Sequence, residues 1–193
     1  MPIPLVNIIS MMAWVFPVIR NKKSKYLTFF VVNALTDPLI FFILIPLKVN
    51  SNYLILITDI VFVCFFSYLI TKTYKLKIKI ILLLLIAVCI GFFEIEYSIM
   101  ILDLTVLSQI LYLMLYDVIK LRKLNLFPFI LFLYFLLVSL NSIFVLLNTN
   151  TGTFYFNQTL LIMVIFAVFF SIFSDNSKKL IINLKSKSNS HSN

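Results

Sequence analysis

The chain reads as an all-α, polytopic integral membrane protein of seven transmembrane helices, and three observations predict it. It is 62% hydrophobic and only 12% charged, where a soluble domain is roughly half apolar and about a quarter charged. Its apolar residues fall in continuous runs near the length of about 20 residues that a bilayer core requires. Of its 16 Lys and Arg residues, all but Lys48 follow alternate runs. The runs are continuous rather than alternating, so they predict helices and not barrel strands, in a solvent that leaves no backbone group unpaired.

The first run, 4–19, carries Asn7 and Ser10 and is followed by Arg20, Lys22, Lys23 and Lys25. With no basic residue before it and no small-residue cleavage site, it reads as a retained helix rather than a signal peptide. The second run, 26–47, holds Asn33, Asp37 and Pro38; the third, 52–71, holds Asp59 and leads into Lys72, Lys75, Lys77 and Lys79. The fourth, 79–94 ("KIILLLLIAVCIGFFE"), is the shortest. It is kept as a span because without it Lys120, Arg122 and Lys123, which follow the fifth run (97–116, with Asp103), would change sides. Lys79 then reaches back to the interface. The sixth run, 125–147, places Tyr134, Asn141 and Asn148 at seven-residue intervals, on one face; the seventh, 154–173, begins with Asn157 and Gln158.

These runs predict one transmembrane domain over residues 1–173 and a basic, polar tail over 174–193 with Lys178, Lys179, Lys185 and Lys187. The tail is expected to be solvated, with an amphipathic helix over Lys178–Lys187 as the alternative. By the positive-inside rule the basic side is cytoplasmic, the N-terminus outside and the C-terminus inside, in the inner (plasma) membrane of a cell. Tyr26, Tyr53, Tyr68, Tyr97, Tyr112, Tyr116 and Tyr155 fall near span ends as an aromatic belt; Tyr134 is the exception. The net charge of +9 is spread along the inner face. The partners it implies are the lipid bilayer, anionic lipids at that face and a protein on the cytoplasmic side; no basic domain exists to hold nucleic acid.

Two segments resemble each other. "YLILITDIVFVCFFSYL" from Tyr53 and "YSIMILDLTVLSQILYL" from Tyr97 each place Asp six residues after Tyr and a second Tyr nine residues later. Both run from outside to inside, as in a parallel helix-hairpin repeat.

Much chemistry is excluded. No span carries a Lys for a retinal Schiff base, and the sole His is His191 in the tail. Ser–His dyads, HExxH zinc sites and GxGD proteases are therefore absent, and Cys64 and Cys89 lack metal-ligand spacing and read as buried thiols. No catalytic residue, cofactor or metal is expected.

Polar groups inside the spans are what remains. Asp37 lies near the middle of its span, where an ionised carboxylate costs about 2.5–3.5 kcal/mol even on insertion scales. It has no intramembrane base to pair with, so it carries its proton at neutral pH or holds a cation or protonated amine. Asn33 stands one turn before it, and Pro38 frees the Ala34 carbonyl, which together predict one polar patch. With Asp59, Asp103, Asn141, Asn157 and Gln158 these residues form a candidate pocket open to the outside. Polar groups in spans otherwise serve as interhelical hydrogen bonds of under about 1 kcal/mol each.

On the layout and on two dipeptides, Thr36-Asp37 late in the second run and Asn52-Tyr53 opening the third, the chain resembles small seven-helix bacterial inner-membrane proteins and sensor-type membrane modules. That resemblance implies the fold and a sensor-like or partner-binding role. The alternatives are a proton- or cation-coupled small-solute transporter and, third, a lipid hydrolase using Asp59 and Asp103.

Overall fold

A computed structural model describes residues 5–50, 52–74, 86, 88, 93–146, 152–175, 177 and 180–183; the side chains of 5–7, 11, 73, 74, 145, 146, 152–160 and 183 lie outside that description. Its elements are α1 (Leu5–Arg20), α2 (Leu27–Leu39) continuing through a π-helical turn (Ile40–Leu44), α3 (Asn52–Tyr74), α4 (Ile95–Leu121), β1 (Lys123–Asn125), α5 (Leu126–Leu146), α6 (Gly152–Ile172) and β2 (Ile181–Asn183). Six of the expected spans thus correspond to helices within a few residues. The fourth, 79–94, lies almost wholly outside the described residues. Four stretches, Leu27–Leu44, Asn52–Lys72, Ile95–Leu121 and Leu126–Phe144, are long and apolar enough to cross a membrane.

The helices start and stop for local reasons. Asn50 Oδ1 accepts from the Asn52 amide at 2.9 Å and Asn125 Oδ1 from the Phe127 amide at 3.0 Å, which satisfies donors otherwise orphaned at the starts of α3 and α5. Pro128 sits in the first turn of α5, where no intrahelical donor is needed. Arg122 closes α4 in the left-handed region (φ 49°). Pro38 cannot donate to the carbonyl of Ala34, and just beyond it α2 widens into the π-helical turn.

Around the bundle, α1 packs between α6 and α2, α3 between α2 and α4, and α5 between α4 and α6. The contacts α2–α3 and α5–α6 are the sparse ones, so α6–α1–α2 and α3–α4–α5 form two tighter groups joined at two looser seams. Within the second group α3 and α4 lie parallel and in register. Asn52 Nδ2 donates to Glu96 Oε1 at 3.0 Å near one end, and Gln109 Nε2 donates to Ser67 Oγ at 3.0 Å two-thirds of the way along. The two segments that resemble each other in sequence are therefore neighbours. At the basic end, Asn21 Nδ2 donates to the carbonyls of Pro17 (3.1 Å) and Phe170 (2.7 Å), tying the α1–α2 turn to α6. Asn21 is buried, and Asn21→Ala removes the donor to the Phe170 carbonyl, whereas Pro17 keeps the residue 21 amide; a loss of about 1–3 kcal/mol is expected in reversible unfolding in detergent.

Polarity is distributed inside out. Large apolar side chains are exposed on every described helix, among them Phe16, Phe42, Ile57, Ile119 and Ile165, while Asp59, Ser67, Asp103, Gln109 and Ser139 are buried. Water would penalise that surface heavily, whereas hydrocarbon does not. The buried apolar core is aromatic and fills the half of the bundle nearest the basic residues. Phe29 makes ring contacts with Trp14, Phe30, Phe62, Tyr134, Phe135 and Phe170, from α1, α2, α3, α5 and α6.

Three expectations are corrected. Tyr26 is not in an interfacial belt: it is buried and stacked on Phe127 at 5.1 Å, because the α1–α2 turn folds it inward. Cys64 is a free thiol on the exposed face of α3, not a buried one; Cys89 lies outside the described residues. The fold is mostly helical, as expected, but the tail is neither free nor helical at 181–183. There β2 pairs antiparallel with β1, Leu124 opposite Ile182, which satisfies backbone groups in the chain leaving α4. Leu180, just before β2, is buried in the core.

Candidate functional site

Above the aromatic core, toward the end where α3 and α4 begin, lies a cavity of about 600 Å³. All six described helices line it. Trp14 comes from α1; Asn33, Thr36 and Asp37 from α2; Asn52, Thr58 and Asp59 from α3; Glu96 from α4; Tyr134, Asn141 and Ser142 from α5; Met163 from α6. The floor is aromatic, made by Trp14, Phe62, Tyr134 and Phe135. Among the described residues, three carboxylates and no Lys, Arg or His line the wall.

The acids are held differently. Asp37 Oδ2 accepts a hydrogen bond from Ser10 Oγ at 3.1 Å, across the α1–α2 contact. Asp103 is 1% exposed and stands behind the wall; its Oδ2 accepts from Ser142 Oγ at 2.6 Å, and its Oδ1 has no partner among the described residues. Asp59 is 4% exposed, and its Oδ2 also has none. Asp59 and Asp103 lie near enough for their charges to interact, and both, with Asp37, act electrostatically on the Tyr134 hydroxyl. Acceptors therefore outnumber donors in the deepest part of the cavity. A buried charged acceptor left without a donor costs about 1–3 kcal/mol or more, and a cationic donor removes that cost for several of them at once.

Asn33 and Asp37 share the cavity but not a hydrogen bond. Asn33 Nδ2 donates back to the Phe29 carbonyl at 2.8 Å, and its Oδ1 accepts from Tyr134 Oη at 2.5 Å, bridging α2 to α5. Within the expected patch of Asn33, the Ala34 carbonyl and Asp37, Asn33 is bonded to α5 and fixes the floor, and Asp37 is bonded to α1. Thr36 donates to the Val32 carbonyl at 2.8 Å, so its hydroxyl is also committed to the helix. Asn141 lines the cavity. The side chains of Asn157 and Gln158, on α6, lie outside the described residues.

Several lining residues escape a reading of the spans alone. Glu96 sits at a span end, where a carboxylate is ordinarily solvated, yet its side chain is half-buried against Asn52 and faces the cavity. The signal is in the two similar segments: Asn52 precedes Tyr53 as Glu96 precedes Tyr97, each seven residues before an aspartate. Ser142 follows Asn141 on α5, and Trp14 and Tyr134 are core residues that also form the floor. Among the described residues, no three His, Cys, Asp or Glu side chains are grouped to hold a metal ion. The arrangement suits binding: carboxylate oxygens without donors face an apolar enclosure. Compared with family models, curated proteins and solved structures, the chain matches none.

Proposed function

We propose that this is a seven-helix, multipass protein of the inner (plasma) membrane whose cavity receives a small cation from outside, in a sensor-like or partner-binding role. Parallel packing of α3 and α4 supports the count of spans: the chain leaves α3 at one end and enters α4 at the other, so this reading requires a return crossing between them. Within that return Ile86 is buried in the core. The sidedness follows from the charges, with Arg20–Lys25, Lys72 and Lys120–Lys123 at cytoplasmic ends and the cavity at the opposite one. The basic face meets anionic lipid and a cytoplasmic protein partner.

The observation that carries the binding role is the Asp59 carboxylate oxygen, buried in the cavity wall with no partner and no lining base among the described residues. The aromatic core closes the cytoplasmic half, which suits a pocket that is read from outside more than a continuous path. A cation-coupled transporter is the second reading, favoured by the two helix groups that meet at loose seams around the cavity. The test is thermal unfolding in nanodiscs over a series of inorganic and organic monovalent cations, with Asp37→Asn in parallel. A cation-dependent rise in Tm that the variant lacks is expected, and equal melting of both proteins throughout would leave the carboxylates as helix-packing groups. Solute uptake into proteoliposomes by the protein alone would then select the transporter over the sensor.

A further inference from the structure

Building on the reading of the cavity as a cation site, we infer that its ligand is an aliphatic polyamine with ammonium groups set well apart, a long diamine or a triamine. The cavity is acidic at two levels. Near its mouth stands Glu96, bonded to Asn52; deeper stands Asp59, with Asp103 behind it and Asp37 on the facing helix group. Glu96 and Asp103 are seven residues apart on α4, as Asn52 and Asp59 are on α3. Seven residues are two helical turns, so the two levels share a face and differ in height by about 10 Å.

Between the levels the wall is aliphatic. Ile55 and Ile99 stand about one turn below Asn52 and Glu96, and the Thr58 hydroxyl is committed to the Leu54 carbonyl at 2.8 Å. A chain of methylenes fits such a wall, whereas a hydrated inorganic cation gains nothing there. A single ammonium reaches one level and leaves the other without a counter-charge. At the deep level the ammonium has three N–H donors for the orphaned Asp59 oxygen and its neighbours, and the aromatic residues Trp14 and Tyr134 line the cavity there. The outer ammonium meets Glu96. The deep carboxylates come from both helix groups, Asp37 from one and Asp59 and Asp103 from the other, so a ligand held at that level also spans the α2–α3 seam.

The test is a ligand series on the full chain in nanodiscs of zwitterionic lipid, which removes amine binding to the bilayer. Straight-chain α,ω-diamines of two to eight carbons, spermidine, the n-alkylamines of equal carbon number and the matching diols are titrated while Tm is followed. Apparent affinity is expected to rise with charge separation, to reach at least tenfold over the equal-length monoamine, and to be absent for diols. Glu96→Gln, at a half-buried position outside the core, is expected to fold normally and to bind diamines and monoamines alike. Monoamines binding as tightly as diamines in the wild type would overturn the polyamine assignment while leaving a cation site. Failure of every amine to shift Tm would overturn both.

Discussion

Phe29→Ala is expected to lower stability by about 2–4 kcal/mol in reversible unfolding in detergent. Phe29 is 0% exposed and touches rings from five helices, so no single neighbour can move to fill the space it leaves. Large-to-small core changes in water carry a transfer cost and a cavity cost, together about 3–5 kcal/mol for Phe→Ala. In a membrane the transfer part shrinks, because a helix surface exposed by loosening meets lipid as apolar as the core. The cavity part, lost dispersion contacts around a void, is unchanged. Phe42→Ala is the internal control: Phe42 is 63% exposed on the π-helical turn, and its loss is expected to change stability by less than about 0.5 kcal/mol. Equal effects from the two would mean that the aromatic cluster does not hold the helices together. The same variant bears on the cavity, because Trp14 and Tyr134 both pack on Phe29. Without it the floor loosens, and ligand stabilisation is expected to fall along with Tm.

The second large effect has the opposite sign. Asp103→Asn is expected to stabilise the ligand-free protein by about 1–3 kcal/mol and to weaken cation binding at least tenfold. Asp103 already has a donor in Ser142, and asparagine Oδ1 accepts that bond as well as the carboxylate does. What the aspartate lacks is a partner for Oδ1, and Asp59 nearby has the same deficit at Oδ2. An amide brings a permanent Nδ2 donor to the pair and leaves one carboxyl there, so two negative charges can no longer oppose each other. Breaking a buried charge cluster usually destabilises, because it strands a partner of opposite sign. Here no such partner exists among the described residues, so the sign reverses. Stability kept low by groups that a ligand needs is a recurring trade at binding sites. Destabilisation by Asp103→Asn would mean that the pair is already satisfied internally, and the cavity would lose its electrostatic reason for a cation.

How much of this was legible depended on whether a feature is written in the period of the sequence. Apolar runs and basic flanks are one-dimensional signals, and six helices fall within a few residues of where they predict. Asp37 and Asp59 stood out because a carboxylate within an apolar run has no cheap explanation, and both line the cavity. Glu96 did not, because at a span end solvation explains it equally well; only its bond to Asn52 turns it inward. Asn33 was legible in part, since helical spacing puts it near Asp37 but cannot say that Tyr134, 101 residues away, claims its oxygen. Tyr26 misled, for composition near a span end suits both an interfacial and a buried ring. The ribbon of β1 and β2 has three residues a side, too few for any periodicity to announce.

The most direct measurement of the central claim is chemical access to the cavity from a known side. With Cys64 and Cys89 replaced by alanine, Asn141→Cys places one thiol in the cavity wall and Lys72→Cys places one at the basic end. Intact cells are treated with a small, charged, membrane-impermeant methanethiosulfonate, with and without spermidine. The account predicts modification at 141 from outside, slowed several-fold by spermidine, and modification at 72 only after the cells are opened. Modification at 72 in intact cells, or a thiol at 141 that reacts from the cytoplasmic side and ignores the amine, would contradict it.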